Sequence, residues 1–152
     1  DMTILHKGFD TIALSIKATL TPEFLAHLES EQSRAKTENA PILSAYGGVD
    51  FHLKHHGGAG YQFLLDGGTD GASWAFKRPH PKDPWGIRIS IGSRFLALNG
   101  LGRAKAHVED TLAAWGIRFQ AEDVSIARVG FCVDVFAPDF TLQPDHFAAS
   151  TV

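Results

Sequence analysis

The sequence predicts an α+β domain in which a largely antiparallel sheet carries two main helices packed on one face. Three observations lead there. Short runs with a period of two recur along the chain, only two segments show helical spacing, and the turns between the middle runs are too short to hold a crossover helix. A doubly wound parallel fold needs such a helix between most of its strands, so it does not fit.

The first run, Asp10 to Lys17, sets Ile12, Leu14 and Ile16 on one face and Thr11, Ala13 and Ser15 on the other, the pattern of a half-buried strand. Thr21 and Pro22 then supply an N-cap and a first helical position, and Phe24, Leu25 and Leu28 form the apolar stripe of a helix to about Ala35. Asn39 and Pro41 close it. Val49, Phe51 and Leu53 alternate with Asp50, His52 and Lys54, and after a glycine-rich turn Tyr61, Phe63 and Leu65 resume the alternation as a β-hairpin. Asp66 to Gly71 makes the next turn, before a short strand with Trp74 and Phe76. Lys77 to Pro84 holds three prolines and must be a loop. Ile87, Ile89 and Ile91 restore a strand whose other face shows Arg88 and Ser90. Asn99-Gly100-Leu101-Gly102 is expected to open the second helix, with Leu101, Ala104, Val108, Leu112 and Trp115 at helical spacing and Gly116 at its end. The last strand spans about Val124 to Phe136, with Val129, Phe131, Val133 and Val135 on one face and Arg128, Gly130, Cys132 and Asp134 on the other. It is expected to be central in the sheet, with Phe131, Val133 and Val135 buried.

Residues 1–152 read as a single domain, 44% hydrophobic and 20% charged. A lone cysteine, Cys132, excludes an internal disulfide framework. No apolar run reaches the roughly 18 residues of a membrane span, and no basic segment precedes an apolar one as in a secretory signal, so a cytoplasmic protein with no membrane partner is expected. The net charge of −3 argues against a polyanion partner until its distribution is read. Residues 74–118 carry eight basic and three acidic side chains, whereas the flanks on both sides are acidic. A basic central third is the footprint of a phosphate-bearing ligand.

Within that third, Lys77, Arg78, Lys82, Trp85 and Arg88 lie on or beside one proline-stiffened loop. Cations that track a phosphate backbone, together with an indole that stacks a base, are what single-strand binding requires. These five are the expected nucleic-acid-binding residues. His52, His55 and His56 are weaker candidates for chemistry. On an extended chain His52 and His56 lie roughly 13 Å apart, too far to share an ion without a bend. Asp134 stands between two valines, where a carboxylate must find a cation, a donor or a metal.

Gly8-Phe9-Asp10-Thr11-Ile12-Ala13-Leu14-Ser15-Ile16, the segment Asp83-Pro84-Trp85-Gly86-Ile87-Arg88, the stretch from Leu96 to Gly102 and above all Val124 to Asp134 resemble the replication initiation factor family. These are the Rep_trans-type rolling-circle replication initiators of plasmids and filamentous phages. The resemblance implies the N-terminal part of such an initiator, binding single-stranded DNA or an origin hairpin, with a replication helicase as a further partner. It implies a reaction in which a tyrosine hydroxyl attacks a phosphodiester while a divalent metal, Mg or Mn, polarises the phosphate, and it assigns Asp134 to the metal. Gly130 stands where the family's strand carries its first aspartate, and the matching tyrosine is missing before Val152. No catalytic residue is therefore expected in this chain. The alternatives are a non-enzymatic protein-interaction module on the same scaffold and a small-molecule enzyme built on the three histidines.

Overall fold

The computed structural model describes residues 3–68, 71–78 and 80–136, and the side chains within 11–68, 71–78 and 80–127. Seven strands and two helices follow one another as β1 (Thr3–Ile16), α1 (Pro22–Glu38), β2 (Ile42–Tyr46), β3 (Val49–Leu53), β4 (Phe63–Asp66), β5 (Ala72–Phe76), β6 (Ile87–Ile91), α2 (Ser93–Ala114) and β7 (Val124–Phe136). The strands form one sheet in the order β2-β3-β4-β5-β6-β1-β7, every neighbouring pair antiparallel. The α+β architecture with a largely antiparallel sheet is thus present. Strands β2 to β6 are a meander of tight turns, and β1 sits between β6 and β7, so β6 and β7 run parallel on either side of it. Helix α2 makes the crossover between them that such a parallel pair needs.

Helix α1 begins where the Thr21 hydroxyl accepts the Phe24 N–H at 3.1 Å, with Pro22 in the first turn where a missing N–H is harmless. It ends at Asn39, whose φ of 53° turns the chain out of the helix. Its buried face carries Phe24, Leu28 and Ala35, and also Gln32, which donates to the Gln62 carbonyl at 2.9 Å. Helix α2 starts at Ser93, earlier than the glycine run suggests, because Phe95 and Leu96 are drawn into the core. The expected helix start at Asn99–Gly102 is instead a break between two helical segments, with Gly100 at φ 79°. No helix among the described residues is long and apolar enough to cross a membrane.

Both helices contact the same side of the sheet, α1 against β2 and β3 and α2 against β1 and β6. That side presents Ile42, Phe51, Leu53, Phe63, Leu65, Trp74, Phe76, Ile87, Ile89 and Ile91, all buried. Trp115, at the C-cap of α2, closes the core. Its ring stacks on Phe24 of α1 at 5.0 Å and meets Trp74, Phe51 and Phe76 edge-on at 4.8, 5.9 and 5.8 Å.

Two features depart from the expected order. Strand β2 is not marked by alternation, because its inward positions include Ser44 while Leu43 points to solvent. Ser44 is tolerated inside because its hydroxyl meets His27 Nε2 at 3.1 Å. Strand β7 has the expected span but lies at an end of the sheet, since its only described neighbour is β1. It is not central, because the meander already occupies the other edge of β1. The side chains of Phe131, Val133 and Val135 lie outside the described residues.

Trp115→Ala removes the ring that joins both helices to the sheet and should cost about 3–5 kcal/mol in urea unfolding. The β2–β3 turn supplies a finer test. Gly47 and Gly48 both have positive φ, 60° and 79°, but a Cβ at Gly47 would sit 2.2 Å from the Ala114 carbonyl oxygen whereas one at Gly48 meets nothing. Gly48→Ala should therefore lose about 1 kcal/mol and Gly47→Ala clearly more, in the same unfolding measurement.

Candidate nucleic-acid interface

The strand faces turned away from the helices have no described element over them. Alternation places Thr11, Ala13 and Ser15 of β1, Ser73 and Ala75 of β5, and Arg88 and Ser90 of β6 on that side. The register lines them up across the sheet. Ser90 stands between Ala13 and Ser73, and Arg88 between Ser15 and Ala75. The direct neighbours of Arg88 and Ser90 on β1 and β5 are therefore small, and no described residue fills the space above them. The result is a concavity of about 550 Å³ bounded by β1, β5 and β6, by the β4–β5 turn, and by the chain entering α2 at Gly92, Ser93 and Arg94.

The β4–β5 turn is held in place by its own chemistry. The Asp66 carboxylate accepts the Gly68 N–H at 2.8 Å, Gly67 N–H donates to the Ala72 carbonyl at 2.9 Å, and a Cβ on Gly71 would strike the Gly67 carbonyl oxygen at 2.7 Å. The rim can close this tightly only with glycines.

The charged side chains among the described lining residues have one sign. Arg88 and Arg94 line it together with the hydroxyls of Thr11, Ser73, Ser90 and Ser93, and no carboxylate is among its described lining residues. Arg88 is half-buried and makes no hydrogen bond or ion pair with another described residue. A guanidinium held partly out of water and not ion-paired with a described residue is a ready partner for a phosphate, which it can grip through two parallel N–H donors. The register sets Arg128 of β7 opposite Ala13, in the same row as Ser90 and Ser73, and Ser125 opposite Ser15, in the row of Arg88.

The five residues singled out on the basic loop do not form one patch. Arg88 alone lines the concavity. Lys77 forms an ion pair with Asp83, and its ammonium lies 5.0 Å from the Tyr61 ring centre. Arg78 lies toward the other side of the sheet, beside the core-facing Phe63 and Phe76. Lys82 is exposed in the turn closed by reciprocal backbone bonds between His80 and Asp83, where its N–H donates to His80 Nδ1 at 3.2 Å. Trp85 is half-buried at the start of the β6 segment, its N–H bonded to Asp83 Oδ1 at 3.3 Å and its ring covered by the Lys17 ammonium at 4.8 Å. The hydroxyl-bearing residues around Arg88 carry no signal in the sequence, because only the register brings β1 and β5 to its sides.

His52 is exposed on β3, and the His55 and His56 rings lie 4.4 Å apart beyond the strand's end. Among the described residues no three His, Cys, Asp or Glu side chains are grouped as a metal site would need. The side chain of Asp134 lies outside the described residues, and its backbone pairs with His6 across β1 and β7.

Comparison with protein-family models, with curated proteins and with solved structures returned no match.

The Lys77 ammonium holds the Asp83 carboxyl below its ordinary value of 3.8, against a smaller opposing effect of desolvation. A lowered folded value means that this link contributes order above about pH 4, where even the unfolded carboxyl is ionised, and loses it as pH falls through the folded value. The backbone amide of Trp85, followed by NMR on acidification, should keep its shift down to about pH 4 and move below it. Asp83→Asn should already show the acid-form shift at neutral pH.

Proposed function

We propose that this chain is the N-terminal part of a rolling-circle replication initiation protein and that it binds single-stranded or origin DNA across the open face of its sheet. The observation that carries this reading is Arg88: a half-buried guanidinium that makes no ion pair with another described residue, in a concavity whose described lining holds hydroxyls and a second arginine and no carboxylate. The resemblance of Val124–Asp134 and of the segments before it to replication initiators is the second support.

The chemistry follows from the lining. Arg88 takes two oxygens of one phosphate, and the Thr11, Ser73 and Ser90 hydroxyls donate to the remaining oxygens or to the next phosphate along the strand. Partial burial lowers the local dielectric and strengthens that pairing relative to a fully solvated cation. The small side chains beside Arg88 leave room for a sugar-phosphate backbone to lie against the sheet. Trp85 and Lys17, near the same end of β6 and β1, offer a ring for a base and a cation for a flanking phosphate. In the same reading Asp134 holds the divalent ion, Mg or Mn, whose role when bound is to polarise the scissile phosphate, and a replication helicase acts at the opened origin. Each phosphate contact of this kind releases counterions, so binding is expected to weaken as salt rises.

Arg88→Ala should weaken binding of a single-stranded oligonucleotide at least tenfold near 50 mM salt, and should flatten the slope of log K against log salt by about 0.7 for each phosphate that is no longer neutralised. Trp85→Ala should weaken binding with little change of slope. Titration by fluorescence anisotropy across a salt series reads both. An Arg88→Ala variant that binds like the parent at every salt concentration would overturn the assignment.

A further inference from the structure

We propose that a second, smaller groove, on the helix-bearing side of the sheet, captures the C-terminal residue of a partner polypeptide. Arg78 binds the terminal α-carboxylate, and a large apolar side chain seats beneath it. The inference does not depend on DNA binding, because Arg88 lies on the other side of the sheet.

The groove opens where the chain passes from β1 into α1 and lies against the end of β5. Leu20, Leu25 and Phe76 supply an apolar floor, and Thr19, Gln62 and Arg78 a polar rim. Its volume is about 190 Å³. Sites for cofactors and drug-sized ligands run from about 300 to 1,000 Å³, so this one suits a single large side chain. Arg78 is exposed and has no hydrogen bond or ion pair with another described residue, and no carboxylate is among the groove's described lining residues. An apolar floor under one uncompensated guanidinium selects a ligand that joins an apolar group to an anion over a short distance.

A chain terminus meets that demand with one residue, since its carboxylate and side chain leave the same Cα. An internal acidic side chain would need a second, apolar neighbour, and the groove has room for one. A phosphate backbone would leave the apolar floor unfilled. The rim adds specificity, because the Gln62 amide and the Thr19 hydroxyl can hydrogen-bond the carboxylate or the last peptide group. The base of Arg78 is also steadied. Its neighbour Lys77 is tied by side chain to Asp83 and by backbone N–H to the Gly86 carbonyl at 2.9 Å, so little backbone freedom is lost there when Arg78 engages.

The test is a titration of the ¹⁵N-labelled full chain with N-acetyl-Gly-Ser-Leu-Phe as the free acid, with the same peptide as its C-terminal amide, and with 3-phenylpropionate. The free acid should saturate and shift the amides of Leu20, Leu25 and Arg78, and the amide form should bind at least tenfold more weakly, as expected for loss of a charge-assisted pair. Arg78→Ala should remove that difference between acid and amide. The phenylpropionate should bind at least tenfold more weakly than the peptide acid, because it lacks the peptide group that the rim reads. Equal binding of acid and amide, shifts centred elsewhere, no saturation, or an Arg78→Ala variant that behaves like the parent would each overturn the proposal. Phenylpropionate binding as tightly as the peptide would overturn the chain terminus as the occupant.

Discussion

The fold turns on Trp115. It is the one side chain that touches α1 through Phe24, the middle of the sheet through Phe51, Trp74 and Phe76, and its own helix at the C-cap. Stacked and edge-on ring pairs of this kind add directionality to burial, so the ring fixes the angle of both helices as well as excluding water. The Trp115 Nε1 donor is buried without a hydrogen-bond partner among the described residues, a cost set against the ring contacts around it. Gly116, at φ 73°, then turns the chain away sharply enough for Ile117 to return to the core while the Thr21 methyl packs close by. The N-cap of one helix and the C-cap of the other therefore share one corner.

Because both helices are gathered on that side, the opposite face is left to the side chains of the strands themselves. It avoids becoming an apolar liability by being built from serines, threonine and alanines around Arg88 and Ser90, with Asp50, His52 and Asp66 farther along. Small polar residues there do two things at once. They leave a face that needs no cover, and they make a hollow in which the large side chain among the described outward-facing strand residues is a cation. The two grooves thus differ in chemistry for a structural reason: the open side meets solvent directly, while the groove near Arg78 borrows its floor from the edge of the core.

Much of the architecture is legible in the sequence. The period-two runs at Val49–Leu53 and Ile87–Ile91, the cap at Thr21-Pro22 and the span of Val124–Phe136 all reappear as elements. What is not legible depends on long-range pairing. Ser44 hides β2 because its partner, His27, belongs to a helix seventeen residues away. The helical start at Ser93 has no side-chain cap to announce it, and the glycines that look like a start interrupt the helix instead. The position of β7 at an end of the sheet follows from which strand β1 accepts on each edge, which no local pattern encodes. The same applies to the site. Arg88 can be placed on the outward face by alternation, but its small neighbours come from β1 and β5. The loop that groups Lys77, Arg78 and Arg88 in sequence sends them to different surroundings, because the Lys77–Asp83 pair and the strand boundary at Ile87 separate them.

The place of β1 also has a kinetic consequence. This strand is made before everything it pairs with, and its partner across Ile12 is Ile91, with the whole meander between them. At synthesis rates of about 5–20 residues per second it waits several seconds with both edges unpaired. The β2–β6 ladder, whose contacts are local, can zip up in that interval, so the topology favours a late docking of β1 into an existing sheet. Until then its alternating apolar residues are a template open to any other strand edge, and the stretch most exposed to misassembly is the one that later lines the candidate DNA-binding hollow.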